Sequence, residues 1–189
     1  MTLAATAGSA SHAAAQGGMV RSAFGPRDAA RARPLAARAA RLAALEARLL
    51  LFYLGREESA ETILAEQTRR SRRNTGALGR MHRMVDQAER ILASGDLDDF
   101  GRLLHESWTL KKTLSSGISN APIDDAYAAA LKAGALGGKL LGAGGRGFLL
   151  VFADPSRHAA VRRRLAALRE VRFRFSREGS RIVFRSGGS

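Results

Sequence analysis

The chain has 189 residues, no cysteine and a formal net charge of +14 at pH 7. That length suffices for one ordinary domain with a real core. The lack of cysteine excludes disulfides, thiolate metal sites and a cysteine nucleophile, and it suits a reducing, cytoplasmic setting. No apolar run reaches the roughly eighteen residues that a spanning helix needs, so no membrane partner is expected. The basic excess sits at the two ends of the chain, and only four of its 31 basic residues are lysine. An Ala- and Arg-rich bias of this kind carries no nucleic-acid-binding motif, which argues against DNA or RNA as the main partner.

Residues 1–34 are dominated by Ala, Gly, Ser and Arg. They lack the aliphatic residues that repay chain ordering, so a disordered tail is predicted there, with one folded domain over 35–189. Leu35 to Ala47 reads as an Ala/Arg-rich helix, and the apolar run Leu49–Leu54, ended by Gly55, as a buried strand. Ser59 opens a further helix carrying Ile63 and Leu64. The next is predicted from Asn74 to Ala93, with Leu78, Met81, Met84, Val85, Ala88, Ile91 and Leu92 on one stripe. Asp96 then caps a helix running through Phe100, Leu104 and Trp108. After a polar break at 115–122 come a helix from Ile123 to Ala133, a glycine loop and a strand from Phe148 to Phe152. Pro155 opens a helix to about Leu168. Val171, Phe173 and Phe175 alternate with Arg172 and Arg174 as in a half-buried strand, with Arg181–Arg185 as its partner across a Glu178-Gly179 turn. The sum is an α+β domain with helices packed on an antiparallel sheet.

The richest segment runs from Gly137 to Phe152, with six glycines between positions 137 and 147. Glycine at this density signals positive φ angles or close backbone approach. Successive N–H groups in such a turn can hold an anion, with Lys139 adding charge, or the turn can simply connect two strands. It is neither a Walker loop, lacking Gly-Lys-Ser/Thr, nor a strand–GxGxxG–helix dinucleotide site.

Lys111, Lys112 and the loop Ser115–Asn120 offer charge, hydroxyls and an amide that can orient a phosphorylated polyol, although Ser, Gly and Asn also favour an ordinary turn. His105 beside Glu106 reads as structural rather than as an acid–base pair. No His/Asp/Glu cluster has metal-ligand spacing. Trp108 reads as core and Arg162-Arg163-Arg164 as a solvated face.

The wording Gly137-Gly138-Lys139-Leu140-Leu141-Gly142-Ala143-Gly144-Gly145-Arg146-Gly147-Phe148 resembles the third signature motif of the GHMP kinases. The segments Leu50–Gly55, Ala60–Gln67, Leu104–Trp108 with Lys111-Lys112, and Leu114–Asn120 before Ile123-Asp124 resemble the family's heptose-7-phosphate kinases, in the same order. The likeness covers residues 46 to 186. It implies the C-terminal lobe of a two-lobed kinase that moves a phosphoryl group from ATP, with Mg2+, to a sugar phosphate. It places Lys139, Gly142, Ala143, Gly144, Gly145, Arg146 and Gly147 at the phosphate or nucleotide cleft. Lys111, Lys112, Ser116, Gly117, Ser119 and Asn120 fall on the sugar-phosphate side, and no catalytic residue is assigned. The family's Gly-Leu-Gly-Ser-Ser loop has no counterpart in these residues. The expectation is therefore a C-terminal lobe that does not catalyse alone, with a separate N-terminal kinase lobe and self-association as candidate partnerships. A non-catalytic sugar-phosphate or nucleotide-binding module and a basic nucleic-acid-binding protein are the alternative readings. Arg146 stands where the family pattern has glycine, and it either obstructs the loop or adds a cation to the cleft.

Overall fold

The computed structural model describes residues 18–24, 30–55, 60–70, 73–142, 144–176 and 178–179. The chain divides into two compact units, residues 1–36 with 174–189, and residues 37–173.

In the first unit β1 (Val20–Phe24) and β2 (Ala30–Pro34) form an antiparallel pair, with Val20 opposite Pro34 and Phe24 opposite Ala30. Leu35 N–H donates to the Met19 carbonyl at 2.9 Å, and Gly18 N–H to that of Ser176 at 3.0 Å. These residues were expected within a disordered tail, so the paired strands correct that expectation for 20–24 and 30–34. Composition misses them because ladder hydrogen bonds satisfy the backbone without a large apolar payload. The period-two alternation in Ala-Arg-Ala-Arg-Pro was the available signal. Residues 1–17 lie outside the described set.

The second unit holds the remaining elements. The first helix, α1 (Ala39–Glu46), begins later than expected because Arg38 is extended and supplies no side-chain cap. Arg41 in its first turn reaches across the fold. Its guanidinium donates to the Leu92 carbonyl at 2.8 Å and the Ile91 carbonyl at 2.7 Å, and also to that of Gly95. A cation thereby engages carbonyls at the end of α3 (Thr75–Ser94), where the Ile91 carbonyl also accepts the Gly95 N–H. Between them lie β3 (Leu49–Tyr53) and α2 (Ala60–Arg69). Met81, Met84, Ala88, Ile91 and Leu92 of α3 are buried as their spacing predicted, while Leu78 remains exposed. Then α4 (Leu97–Thr113) opens on Asp96, whose carboxylate accepts from the Asp98 N–H at 2.9 Å. A 3-10 turn at Ser116–Ile118 leads to α5 (Ala121–Lys132), where Asn120 Oδ1 accepts from the Ile123 N–H.

The sheet has the order β4-β5-β3-β6, each neighbour antiparallel, with β4 (Ala135–Leu141), β5 (Phe148–Ala153) and β6 (Arg169–Glu170). The helix expected from Pro155 to Leu168 is instead a 3-10 turn at Pro155–Arg157 followed by α6 (His158–Arg164). Beyond β6, Val171, Phe173 and Phe175 are half-buried while Arg172 and Arg174 are exposed, and Val171 N–H donates to the Leu51 carbonyl at 2.8 Å. The expected partner, Arg181–Arg185, lies outside the described residues.

The main departure is β4. The sequence reads Gly137 to Gly147 as one loop, yet Gly137–Leu141 pair with β5. Packing against α4 explains the glycines. A Cβ on Gly137 would sit 2.0 Å from the Gly101 carbonyl oxygen, and one on Gly101 would sit 2.5 Å from Phe152 Cδ1. Helix and strand approach so closely that side chains are excluded at the contact. The main cluster joins Leu50, Phe52, Leu149 and Val151 of the sheet to Trp108, Ile123, Tyr127, Val161 and Leu165. Gly137→Ala should therefore destabilise the domain by about 3 kcal/mol or more, as severe overpacking does. Gly76→Ala, with nothing within 4 Å of its Cβ, should stabilise it by about 0.5–1 kcal/mol. Urea denaturation of the two variants checks both signs.

Candidate functional site

Two segments distant in sequence meet at one end of the sheet. Past β4 the loop 142–147 takes left-handed conformations at Gly142 (φ 100°), Gly144 (139°), Gly145 (76°) and Gly147 (115°). Side chains at these positions would strain the backbone. Gly144 also lies against the turn Ser116–Ile118, where a Cβ would stand 2.6 Å from Ile118 Cα. Gly145 N–H donates to the Ile118 carbonyl at 3.1 Å, and Asn120 Nδ2 donates to the Gly145 carbonyl at 2.8 Å. The glycine loop and the 116–120 turn thus form one unit. Ala143 lies outside the described residues.

Three loop amides already have protein acceptors: Gly145 as above, Arg146 to the Gly144 carbonyl at 2.9 Å, and Gly147 to the Gly55 carbonyl at 3.1 Å. The expected anion-holding concavity would draw on those same N–H groups. Here the glycines shape the loop, and charge comes from side chains.

The polar side chains singled out in the sequence converge, but largely on one another. Lys111, buried at the end of α4, donates to the Gly142 carbonyl at 2.7 Å. Lys112 Nζ lies 3.0 Å from Asp124 Oδ1, which also accepts from Ser119 Oγ at 2.9 Å. Ser116 Oγ donates to Glu66 Oε1 at 3.2 Å, and Ser115 Oγ donates to Glu66 Oε2. The Ser115 hydrogen bond, with the nearby Arg70 charge, holds the Glu66 carboxyl below its ordinary value. Gly117 packs on Ile63, 3.1 Å from a would-be Cβ. Sequence reasoning missed Glu66 and Asp124. Asp124 had a signal, as an acid in the first turn of α5 close to Ser119 and Lys112. Glu66 had none, since only the fold brings α2 to the turn.

Lys139 is on β4 rather than in the loop, and it is buried. Burial, and then the neighbouring Lys111 charge, push its ammonium down to about 7. The other candidates are structural: Trp108 is core, Glu106 pairs with Arg80 at 2.6 Å, and His105 Nδ1 lies 2.8 Å from the Tyr127 hydroxyl. Burial raises the Tyr127 phenol above its ordinary value. Arg162, Arg163 and Arg164 lie on an exposed face as expected, where Arg162 also holds Glu170 with two bonds of 2.8 Å. Among the described residues no group of His, Asp and Glu could hold a metal ion, and no helix is long and apolar enough to cross a membrane.

The family model described as GHMP kinases C terminal matches residues 84–170. The chain is similar to the D-glycero-alpha-D-manno-heptose 7-phosphate kinase of Campylobacter jejuni, 32% identical over 143 residues, covering 71% of this chain and 41% of that protein. Its fold is similar to the crystal structure of a D-glycero-D-manno-heptose 1-phosphate kinase from Bacteroides thetaiotaomicron. There the TM-score is 0.61 and the identity 25%, with 89% of this chain and 45% of that one covered. L. major mevalonate kinase in complex with R-mevalonate shares the fold at TM-score 0.64 and 19% identity, covering 85% of this chain and 49% of that one. The chain therefore spans less than half the length of each of these relatives.

The site's buried lysine gives a pH-dependent prediction. Lys139 titrates at about 7 when folded against 10.5 otherwise, so between those values the unfolded chain binds more protons and stability rises with pH. Below that window the buried charge imposes its full penalty. Relative to Lys139→Met, the wild type should gain up to about 1.4 kcal/mol per pH unit as pH rises from neutral. Parallel stability profiles from pH 7 to 10 would contradict it.

Proposed function

We propose, from the match of residues 84–170 to the family model of the GHMP kinases C terminal, that the chain is the sugar-side part of an ATP-dependent kinase. Its substrate is a heptose 7-phosphate or a similar sugar phosphate, and it works with a nucleotide-binding lobe rather than alone. The observation that carries the reading is the union of the glycine loop with the 116–120 turn. Gly145 donates to the Ile118 carbonyl and accepts from Asn120 Nδ2 across it, and Lys111 fixes the loop's entry at Gly142. In such a transfer the protein's work is positioning and electrostatic stabilisation. A loop pinned at Gly142, Gly145 and Gly147 holds its lip still while a ligand's hydroxyl groups are aligned against it.

ATP and Mg2+ belong to this reading through the family. The donor set does not suit them: the amides of Gly145, Arg146 and Gly147 already donate to carbonyls, and among the described residues no acidic cluster suits a cation. We therefore assign nucleotide and metal to a lobe beyond these residues and derive no step through them. The same engaged amides favour, as a second reading, a sugar-phosphate-binding module without turnover. ATP consumption with heptose 7-phosphate should be absent for this chain alone. It should appear when the N-terminal lobe of the Campylobacter jejuni relative is added. A folded chain that gives no turnover in the mixture, yet binds the sugar phosphate, would replace the kinase reading with the module.

A further inference from the structure

Most large aromatic side chains of this unit are buried, Phe52, Phe100, Trp108 and Phe152 among them, yet Tyr53 and Phe148 are each 36% exposed. They face each other across the β3–β5 ladder with ring centroids 5.2 Å apart. The pairing continues beyond the strands, Leu54 N–H donating to the Gly147 carbonyl at 2.8 Å and Gly147 N–H to that of Gly55 at 3.1 Å. Leu54 and Gly55 therefore both stand opposite Gly147, the arrangement of a β-bulge, with Gly55 in a left-handed conformation.

Side chains two residues apart on such a ribbon share a face, roughly 7 Å from one another. The left-handed Gly147 interrupts that alternation, so the place of Arg146 is read from its contacts: it precedes Phe148 by two residues, and it lies against Gly55, two residues after Tyr53. A Cβ on Gly55 would stand 3.2 Å from Arg146 Nη1 and 3.7 Å from its Cδ, so the Arg146 side chain lies across the bare Gly55 backbone. Arg146 is exposed, and among the described residues its guanidinium makes no hydrogen bond or ion pair. It leaves the loop from a backbone pinned on both sides by the bonds of Gly145 and Gly147. Its direction also answers how arginine is accommodated where the resembled motif has glycine. The side chain covers Gly55 and leaves the Gly144–Ile118 contact undisturbed.

We infer that Tyr53, Phe148 and Arg146 form a binding edge for a phosphorylated, ring-bearing small molecule. The guanidinium takes the phosphate and the two exposed rings take the C–H face of the sugar. A planar fork of donors matches phosphate oxygens in a way that a glycine loop with engaged amides cannot. Exposed aromatic surface supplies apolar contact at low conformational cost. The identity of the ligand as a sugar phosphate rests on the kinase reading above; the cation-and-ring edge does not.

Calorimetric titration with D-glycero-D-manno-heptose 7-phosphate, the unphosphorylated heptose and inorganic phosphate tests it. Arg146→Gln should weaken heptose 7-phosphate about tenfold or more, the loss of one charge-assisted contact, and leave the unphosphorylated heptose unchanged. Arg146→Lys should retain part of the affinity, and Phe148→Leu should weaken both sugars. Equal or tighter binding of heptose 7-phosphate by a folded Arg146→Gln would overturn the inference, as would a wild type that binds none of the three. The two readings fail separately. Arg146-dependent binding without turnover in the lobe mixture contradicts the kinase reading alone, and turnover indifferent to Arg146→Gln contradicts this one alone.

Discussion

Gly145 and Ile118 meet through their backbones, and the candidate site is organised around that contact. The Gly145 N–H reaches the Ile118 carbonyl, Gly144 lies on the same turn with no space for a side chain, and Asn120 returns a hydrogen bond to Gly145. Asn120 serves two segments at once, since its Oδ1 also caps α5. Lys111 holds the loop's first glycine, and Gly147 is tied to Gly55 and Leu54 beyond β3. The loop is thus fixed by α4, the 3-10 turn, the start of α5 and the end of β3. A loop held in this way is preorganised, which lowers the ordering cost of any ligand it receives.

Glycine does two different jobs within one short run. At Gly137 it removes a side chain where α4 and β4 would otherwise collide, and the neighbouring strand imposes the same on Gly138, whose Cβ would stand 2.3 Å from the Leu150 carbonyl oxygen. From Gly142 onward it supplies backbone conformations that other residues adopt at a cost. Lys139 lies between these stretches, buried in the sheet close to Lys111, and both burial and that neighbour favour its neutral amine. Burying two cations near each other opposes stability. Lys111 reaches the glycine loop, through the Gly142 carbonyl.

Local chemistry made much of the fold legible. Asp96 marked a helix start because a carboxylate beside free N–H groups has a local reason to be there; Asn120, read only as part of a polar break, turns out to cap α5 in the same way. The apolar stripe of α3 announced its buried face, and the run from Leu49 announced β3. The failures share a cause: the deciding partner is distant in sequence. Gly137 and Gly138 read as loop because glycine in a strand loses entropy without packing, and only Gly101 on α4 explains Gly137. The strand pair 20–24 and 30–34 is held by ladder bonds that composition does not register. In the candidate site, Lys111, Ser116, Ser119, Asn120 and the glycines were identifiable as a set. Their mutual satisfaction, with Glu66 and Asp124 as acceptors, was not.

The central claim is that the glycine loop is clasped through its own amides rather than left open to cradle an anion. Residue-resolved hydrogen exchange at Gly145 and Gly147, in the chain without ligand, tests it most directly. The account predicts strong protection at both amides, comparable with the neighbouring β5 ladder. Exchange at the rate of an unstructured peptide, with protection appearing only when phosphate is added, would contradict it and restore the loop as an anion-binding nest.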